Sequence, residues 1–570
     1  MDASIFFVIV GAVAVAAVAR WRGWPAPLLV TVVALAASFI PIVPNISIDG
    51  HVLLNLVLPP LLYSAALDVS FVSFARAMPQ IRRLGIGLVV ATTMIVGLVA
   101  YLLLPELGVF GALLLGAIVA PPDAVSAAAI GRKLGLPRRI MTVLSGESLI
   151  NDATSLTLYR VFAAAVVAGP AAFHIWSTVW QFVLAVVVGV LIGVVFGLGM
   201  HQLRMRSDDA VINGTVGLLA PFGAYAIAEQ LGGSGVISVV AMGLFVGFNA
   251  PRTSYTTRQQ EAPLWLSADF LLESFVFAYI GLQLPRVIGD LADGEVGPVI
   301  VLSIVVLLVV LVVRPLFVYP ASVWGQWWTR LKLRRWQRMR ESGVSEAIAE
   351  RRGRHPLTEE QLRQQLAETK LSWRDNAVIS WAGMRGVVTL ATALAAADLA
   401  RIGDQASHAI VVVAFVVTVG TLLLQGLTLP WLIKALGVVD GREAAQDARQ
   451  LAAVRVRSRE VGKAYLRDMR KQWATQHGEE SLKTFDAFAK RLIRVETDAE
   501  TSQIDLTPRP SYEQFMTMSK GWLSVRRQLL LTERDAGNLS EEVMHELVTA
   551  MDAEELALDT RAATRPQSRV

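Results

Sequence analysis

Residues 116–130 read GAIVAPPDAVSAAAI, a carboxylate set in the middle of an apolar run. The run it belongs to, 109–130, is long enough to cross a bilayer. Pro121 and Pro122 stand directly before Asp123. Two successive prolines remove two amide donors and clash with the preceding turn, so a helix entering this stretch is interrupted where the carboxylate lies. Irregular backbone at membrane depth survives only where it lines a cavity or is buried in protein. The stretch therefore predicts a discontinuous span whose break frees carbonyls beside Asp123 as ligands for a cation. A plain proline kink, with Asp123 capping the second half-helix, is the structural alternative.

The next apolar run carries GESLINDATSLTLYRVF at 146–162. Ser148 and Asp152 are four residues apart and share a helix face, flanked by Asn151 and Ser155. A carboxylate, an amide carbonyl and hydroxyls are hard oxygen donors, suited to a small hard cation rather than a soft transition metal. Na⁺ held by Asp152, Asp123 and Ser148, with Asn151 beside them, is the expected site. A polar packing seam between helices is the alternative. A third run, AVISWAGMRGVVTLATALA at 377–395, places Gly383 and Gly386 around Arg385 and predicts a second interrupted helix. Arginine stays protonated, so Arg385 is expected as a fixed charge near the carboxylates or as their partner; the glycines alone would also suit close helix packing. Asp123, Asp152, Arg160, Arg314 and Arg385 lie deep in predicted spans, with Glu147 and Glu273 nearer the inner ends. Ionisable groups at such depth are functional candidates by default.

Outward from these runs, the chain is 570 residues, 54% apolar and 17% charged, with a mean hydropathy of +0.51. Soluble domains carry about 25% charged residues, and the deficit here lies before residue 440. The apolar runs predict thirteen spans, at 4–19, 25–40, 52–67, 84–104, 109–130, 140–166, 173–199, 210–230, 233–249, 265–284, 296–320, 376–398 and 408–438. Taking the N-terminus as outside, the short inner loops hold thirteen Lys or Arg between Arg20 and Arg258, and the outer loops only Arg286 and Arg401. That asymmetry obeys the positive-inside rule and fixes the predicted orientation, with the C-terminus cytoplasmic. Arg20 and Arg22 follow the first run rather than precede it, the reverse of a cleavable signal peptide, so that run is expected to be retained.

The expected fold class is an all-α polytopic membrane protein of about 13 transmembrane helices, with inverted repeats and two interrupted helices. Spans five and twelve take corresponding places in the two halves, which is the sequence pointer to the binding site of an inverted-repeat transporter. The membrane domain is placed at 1–440, including a basic cytoplasmic loop at 321–375, and the tail at 441–570. The tail carries amphipathic stretches at 451–466, 481–495 and 541–556 and a disordered last ten residues; it is read as a helical packing appendage, with a regulatory role and an unidentified partner as the alternative. Without cysteine there is no disulfide framework, thiolate nucleophile or Cys metal site. No nucleophile–base constellation appears, and His51, His174 and His408 stand apart as loop residues, so no enzyme is expected, and neither a cofactor nor a nucleic-acid partner. A cation channel would show a pore-lining ring or filter, and none is seen.

At these residues the sequence resembles the sodium/hydrogen exchanger family, in the electroneutral branch of the cation:proton antiporters. The likeness covers about residues 1–440. It is carried by LPPLLYSAALD at 58–68, APPDAVSAAAI at 120–130, GESLINDAT at 146–154, VVRPLFVY at 312–319 and GMRGVVTLATAL at 383–394. The resemblance implies that Asp152 binds cation and proton in turn, that Asp123 and Ser148 help form the site, and that Asn151 stands where electrogenic relatives carry a second Asp. It implies that Arg314 pairs with Glu147 to brace the core and that Arg385 is the other characteristic arginine. It further implies a homodimer in the plasma membrane, with a mobile core of spans 4–6 and 11–13 moving against a dimer domain made of the remainder. Na⁺ or Li⁺ is the expected cargo, with a K⁺/H⁺ antiporter of the same fold as the alternative. Two positions depart from the family pattern: Pro122 replaces a frequent Thr, and Ser64 stands where some relatives carry an acid.

Overall fold

A computed structural model describes residues 3–40, 48–169, 175–207, 209–289, 296–341, 371–397, 399, 404–438, 442–479 and 512–563, with short pieces between 482 and 490. His174, Arg401, most of 321–375 and the end of the tail lie outside the described residues. The described chain is helical, without strands. It divides into two compact units, Met1–Ala250 with Thr256–Asp440, and Pro251–Tyr255 with Gly441–Val570.

In the first unit the helices are α1 (Ala3–Arg22), α2 (Ala26–Ala37), α3 (Gly50–Leu67), α4 (Phe71–Arg82), α5 (Val89–Leu103), α6 (Gly108–Val119), α7 (Ala124–Leu134) and α8 (Arg138–Ala168). They continue with α9 (Ile175–Arg206), α10 (Ala210–Gln230), α11 (Gly235–Asn249), α12 (Tyr255–Leu282), the short α13 (Leu284–Gly289) and α14 (Val296–Glu341). The unit closes with α15 (Trp373–Trp381), α16 (Val387–Ala397) and α17 (Asp404–Leu436). Each of the thirteen apolar stretches falls on one of these helices or on a pair split by a break. Among the described residues, nine helical stretches are long and apolar enough to cross a membrane. α2, α6 and α16 are apolar but shorter, and α8 carries Glu147, Asn151 and Asp152 on a face turned into the protein.

Apolar character and helix ends part company in three places. Span four was expected from residue 84, yet the helix starts at Phe71, where Ser70 caps it through Ser73 N at 3.1 Å. A wider π-helical turn, Arg83–Leu88, then joins α4 to α5 and packs against α8. α12 starts at Tyr255, ten residues before the apolar stretch. α14 runs 46 residues, about 69 Å at 1.5 Å per residue, more than twice the ~30 Å hydrocarbon thickness. The loop expected at 321–375 is therefore helical through Glu341. Hydropathy fell at 320 and ended the predicted span, but helix propensity did not fall with it: no proline and only Gly325 interrupts 321–341.

Two groups of helices pack within this unit. α5, α6, α8, α14, α15, α16 and α17 form one, and α3, α9, α10 and α11 form the other, with α3 also lying against α16. Outward faces such as Val183, Val187, Leu191 and Val195 on α9 stay exposed, as lipid-facing residues do. The second unit is helical as well: α18 (Arg442–His477), α19 (Tyr512–Asp535) and α20 (Glu541–Ala563). Trp522, Leu530, Val543 and Met551 build a core of its own. Helix α19 was not foreseen, because its apolar residues are spaced among Lys520, Arg526 and Arg527; the structure pairs the last two with Glu554, Asp552 and Glu555.

Candidate functional site

The two breaks meet. α6 ends at Val119 and α7 begins at Ala124, while α15 ends at Trp381 and α16 begins at Val387. Between the breaks, Asp123 N donates to Met384 O at 2.5 Å. A break in a buried helix leaves carbonyls without intrahelical donors, and buried carbonyls need partners. Side chains supply them. Ser155 Oγ donates to Ala117 O at 2.8 Å, and Asn151 Nδ2 to Pro122 O at 2.7 Å. Arg385 donates through Nε to Val119 O at 3.0 Å, through Nη2 to Ala120 O at 3.4 Å, and through Nη1 to Gly383 O.

That accounting bears on three expectations. The carbonyls freed by Pro121 and Pro122 were expected as cation ligands; four of the carbonyls around the break are bonded to side-chain donors instead. Arg385 was expected as a fixed charge near the carboxylates or as their partner; its three guanidinium bonds all go to backbone carbonyls, so it does not bond the carboxylates directly. The cause is local: the helix end needs donors where prolines cannot provide them. Asn151 was expected among the ligands through its amide carbonyl; its Nδ2 donates to Pro122 O at the break, while its Oδ1 is buried without a hydrogen-bond partner.

Arg314 does on the other break what Arg385 does on the first. Its Nε donates to Ile379 O, in the last turn of α15, at 3.0 Å. Its Nη1 and Nη2 reach Glu147 Oε1 and Oε2 at 2.5 and 2.9 Å. The space around this guanidinium depends on Gly383, where a Cβ would collide with the Arg314 side chain. In the same way a Cβ at Gly386 would collide with the Asp123 carboxylate.

One cavity of about 170 Å³ opens beside the crossing, room for several waters at about 30 Å³ each. Asp123, Ser148 and Asp152 line it together with Thr389 of α16. Asp152 is only 8% exposed. α3 and α12 line the cavity too, with Ser64, Asp68 just past the end of α3, Asp269 and Glu273, and Arg132 comes from the end of α7. Ser64 Oγ donates to Asp269 Oδ2. So the structure brings Asp123, Ser148 and Asp152 into one cavity and places Glu147 and Arg314 behind it as an ion pair. Arg160, the other deep arginine, lies away from it, paired with Glu229 at 2.5 Å. Sequence reasoning passed over Asp269 and Thr389. Asp269 and Glu273 are four apart on an otherwise apolar span, a signal that was present; Thr389 looked like one of several helix threonines.

A cavity with paired carboxylates and hydroxyls can replace part of a cation's hydration shell and can equally hold a proton. Comparison with known proteins points the same way. A family model described as the transmembrane sodium/hydrogen exchanger matches residues 8–435. Over 553 residues the chain is 30% identical to an uncharacterized Na⁺/H⁺ exchanger of Mycobacterium tuberculosis, covering 95% of this chain and 92% of that one. It is 28% identical over 438 residues to the Na⁺/H⁺ antiporter ApNhaP of Aphanothece halophytica, covering 76% and 74%. In three dimensions it matches the sodium proton antiporter MjNhaP1 of Methanocaldococcus jannaschii with a TM-score of 0.54 at 16% identity, over 76% of this chain and 98% of that one, a likeness of fold. The extent of the family match, across both breaks and all the helices that build the cavity, shows that this chain belongs to the sodium/hydrogen exchanger family.

Proposed function

We propose that the protein exchanges Na⁺ or Li⁺ for H⁺, one for one, across the plasma membrane, with its N-terminus outside and its tail in the cytoplasm. The observation that carries this reading is the cavity in which Asp123, Ser148 and Asp152 converge at the crossing of two broken helices. Asp152 is the exchanging group: its carboxylate holds a cation or a proton, and Coulomb repulsion keeps it from holding both. Asp123 and Ser148 complete the oxygen cage. The core, spans 4–6 and 11–13, carries the occupied site across the barrier against a dimer domain formed by the rest, as an elevator does. An empty, charged site is held back by the cost of burying an unpaired charge. That rule couples the two fluxes without a further gate.

The cavity also supports a direction. Asp68 and Arg132 mark the ends of α3 and α7 that the charge asymmetry assigns to the cytoplasm, so the site opens inward in this conformation. Proton flux in everted vesicles or proteoliposomes on addition of Na⁺, Li⁺ or K⁺ tests the reading. Na⁺ and Li⁺ should each collapse a preset pH gradient, and D152N should abolish the response while the protein remains folded. Wild-type flux in D152N overturns the assignment of Asp152, and a response to K⁺ alone replaces the cargo.

A further inference from the structure

We propose that Thr389 Oγ1 is a ligand of the transported cation, contributed to the site by the second broken helix. The inference rests on the antiporter reading and adds a residue to its cage. Thr389 lines the same cavity as Asp123, Ser148 and Asp152, and it is 1% exposed. Its hydroxyl has no hydrogen-bond partner. A buried hydroxyl left without a partner lowers stability, so its retention on the wall of a polar cavity calls for a ligand.

The behaviour of other hydroxyls in these helices sharpens the point. Thr154, Thr157, Thr392 and Thr421 each donate to the carbonyl four residues back, at 2.9, 2.7, 2.6 and 2.7 Å. Thr389 cannot follow them. Four residues back is Arg385, which lies in the break before α16, where the backbone is not helical. The break therefore frees this hydroxyl as well as the carbonyls. The carbonyls at the end of α6 are capped by side chains, while the Thr389 hydroxyl is left without a partner in a residue that lines the cavity. Pro121 and Pro122 bring no hydroxyl to the other break, and the hydroxyls of Ser148 on α8 and Thr389 on α16 are neutral oxygens that the cavity lining offers. A hydroxyl suits the position: it turns a lone pair to the cation and its proton to a carboxylate. Small hard cations favour such oxygens.

The test uses the purified full-length protein in proteoliposomes, measuring the apparent KM for Na⁺ and the maximal proton flux at fixed pH. T389V removes the hydroxyl at nearly constant shape; T389S keeps it. Thr93 supplies the control, since its hydroxyl is equally buried and unpartnered but lies off the cavity. T389V should raise the apparent KM about tenfold, the equivalent of about 1.4 kcal/mol, with the maximal flux largely kept. T389S and T93V should stay within about twofold of wild type, less than 0.5 kcal/mol or so. Thermal unfolding in NaCl against choline chloride provides a reading independent of turnover: Na⁺ should stabilise wild type and T389S and lose most of that effect in T389V. An unchanged KM and an unchanged Na⁺ shift in T389V overturn the proposal, as does an equal loss in T93V. If wild type responds to no alkali cation at all, the antiporter reading falls and the ligand with it; a responsive wild type with an indifferent T389V removes the ligand alone.

Discussion

The Arg314 guanidinium and the Glu147 carboxylate form two parallel hydrogen bonds, at 2.5 and 2.9 Å, with both side chains 3% exposed or less. They join α14 to α8 directly behind the cavity, and the third Arg314 bond, to Ile379 O, ties in α15. Removing either charge leaves the other buried and unpaired, which costs about 3–5 kcal/mol. E147Q and R314Q should each lower thermal stability by about that amount, and the double variant should recover part of the loss. Strictly additive losses in unfolding measurements would mean that the pair contributes no coupling.

Gly386 and Asp123 set a second limit. A Cβ at Gly386 meets the Asp123 carboxylate and its Cβ, so the two breaks can cross only with glycine there. G386A should displace the carboxylate or open the crossing. Because interior packing yields little to added atoms, overpacking of this kind costs about 1–3 kcal/mol. Transport should fall far more than stability, since the displaced group belongs to the site. A variant with wild-type flux and an unchanged apparent affinity would show that the crossing relaxes freely.

Both breaks were legible because their causes are local. Pro121 and Pro122 cannot continue a helix, and Gly383 and Gly386 flank an arginine that has no place in lipid. Ser148 and Asp152 follow from helical spacing alone. What was not legible is which donor satisfies which carbonyl. Arg385 and the carboxylates lie in the same core, and sequence offers charge attraction as the obvious pairing; the structure shows that orphaned carbonyls claim the guanidinium. Asn151 was assigned to the cage beside Asp152, yet one residue is about 100° around a helix; the amide nitrogen turns to Pro122 O and Oδ1 stays unpartnered, a division that spacing does not reveal. Asp269 escaped because the wall it joins is formed by α3 and α12, which are 205 residues apart at the Ser64–Asp269 bond. Fold class, by contrast, follows from run length and hydropathy, which do not depend on long-range pairing.

Asp269, Glu273 and Asp68 line the same cavity as Asp152. Carboxylates in a narrow, low-dielectric mouth raise the local cation concentration. D269N and E273Q should therefore raise the apparent KM for Na⁺ with little change in maximal flux. The effect should shrink as ionic strength rises, because the Debye length falls from about 30 Å at 0.01 M to about 8 Å at 0.15 M. Flux titrations at two choline chloride concentrations check this. A loss of maximal flux that ignores ionic strength would place these groups in the exchange step itself.

Charge balance in the core decides the last expectation. Asp123 and Glu147 bring two negative charges, Arg314 and Arg385 two positive ones, and all four belong to the helices around the crossing: α6 to α8 on one side, α14 to α16 on the other. Around the crossing these four charges cancel, and Asp152 is the remaining group there. With either Na⁺ or H⁺ on Asp152 the moving body carries the same charge in both directions, so one Na⁺ is exchanged for one H⁺ and no net charge crosses. A membrane potential acts only on net charge moved, at about 2.3 kcal/mol per charge per 100 mV. Na⁺-driven proton flux should thus be the same in vesicles clamped with K⁺ and valinomycin at widely different potentials, once K⁺ is shown not to be a substrate. A steep dependence on the clamp would mean that a second proton travels, and Asp123, which shares the cavity with Asp152, is the group that would carry it. D123N separates the cases: it should remove the voltage dependence if Asp123 titrates. If Asp123 instead remains a fixed charge, D123N leaves the exchange as voltage-independent as the wild type, because the same uncompensated positive charge travels with Na⁺ in one direction and with H⁺ in the other and the net charge moved stays zero.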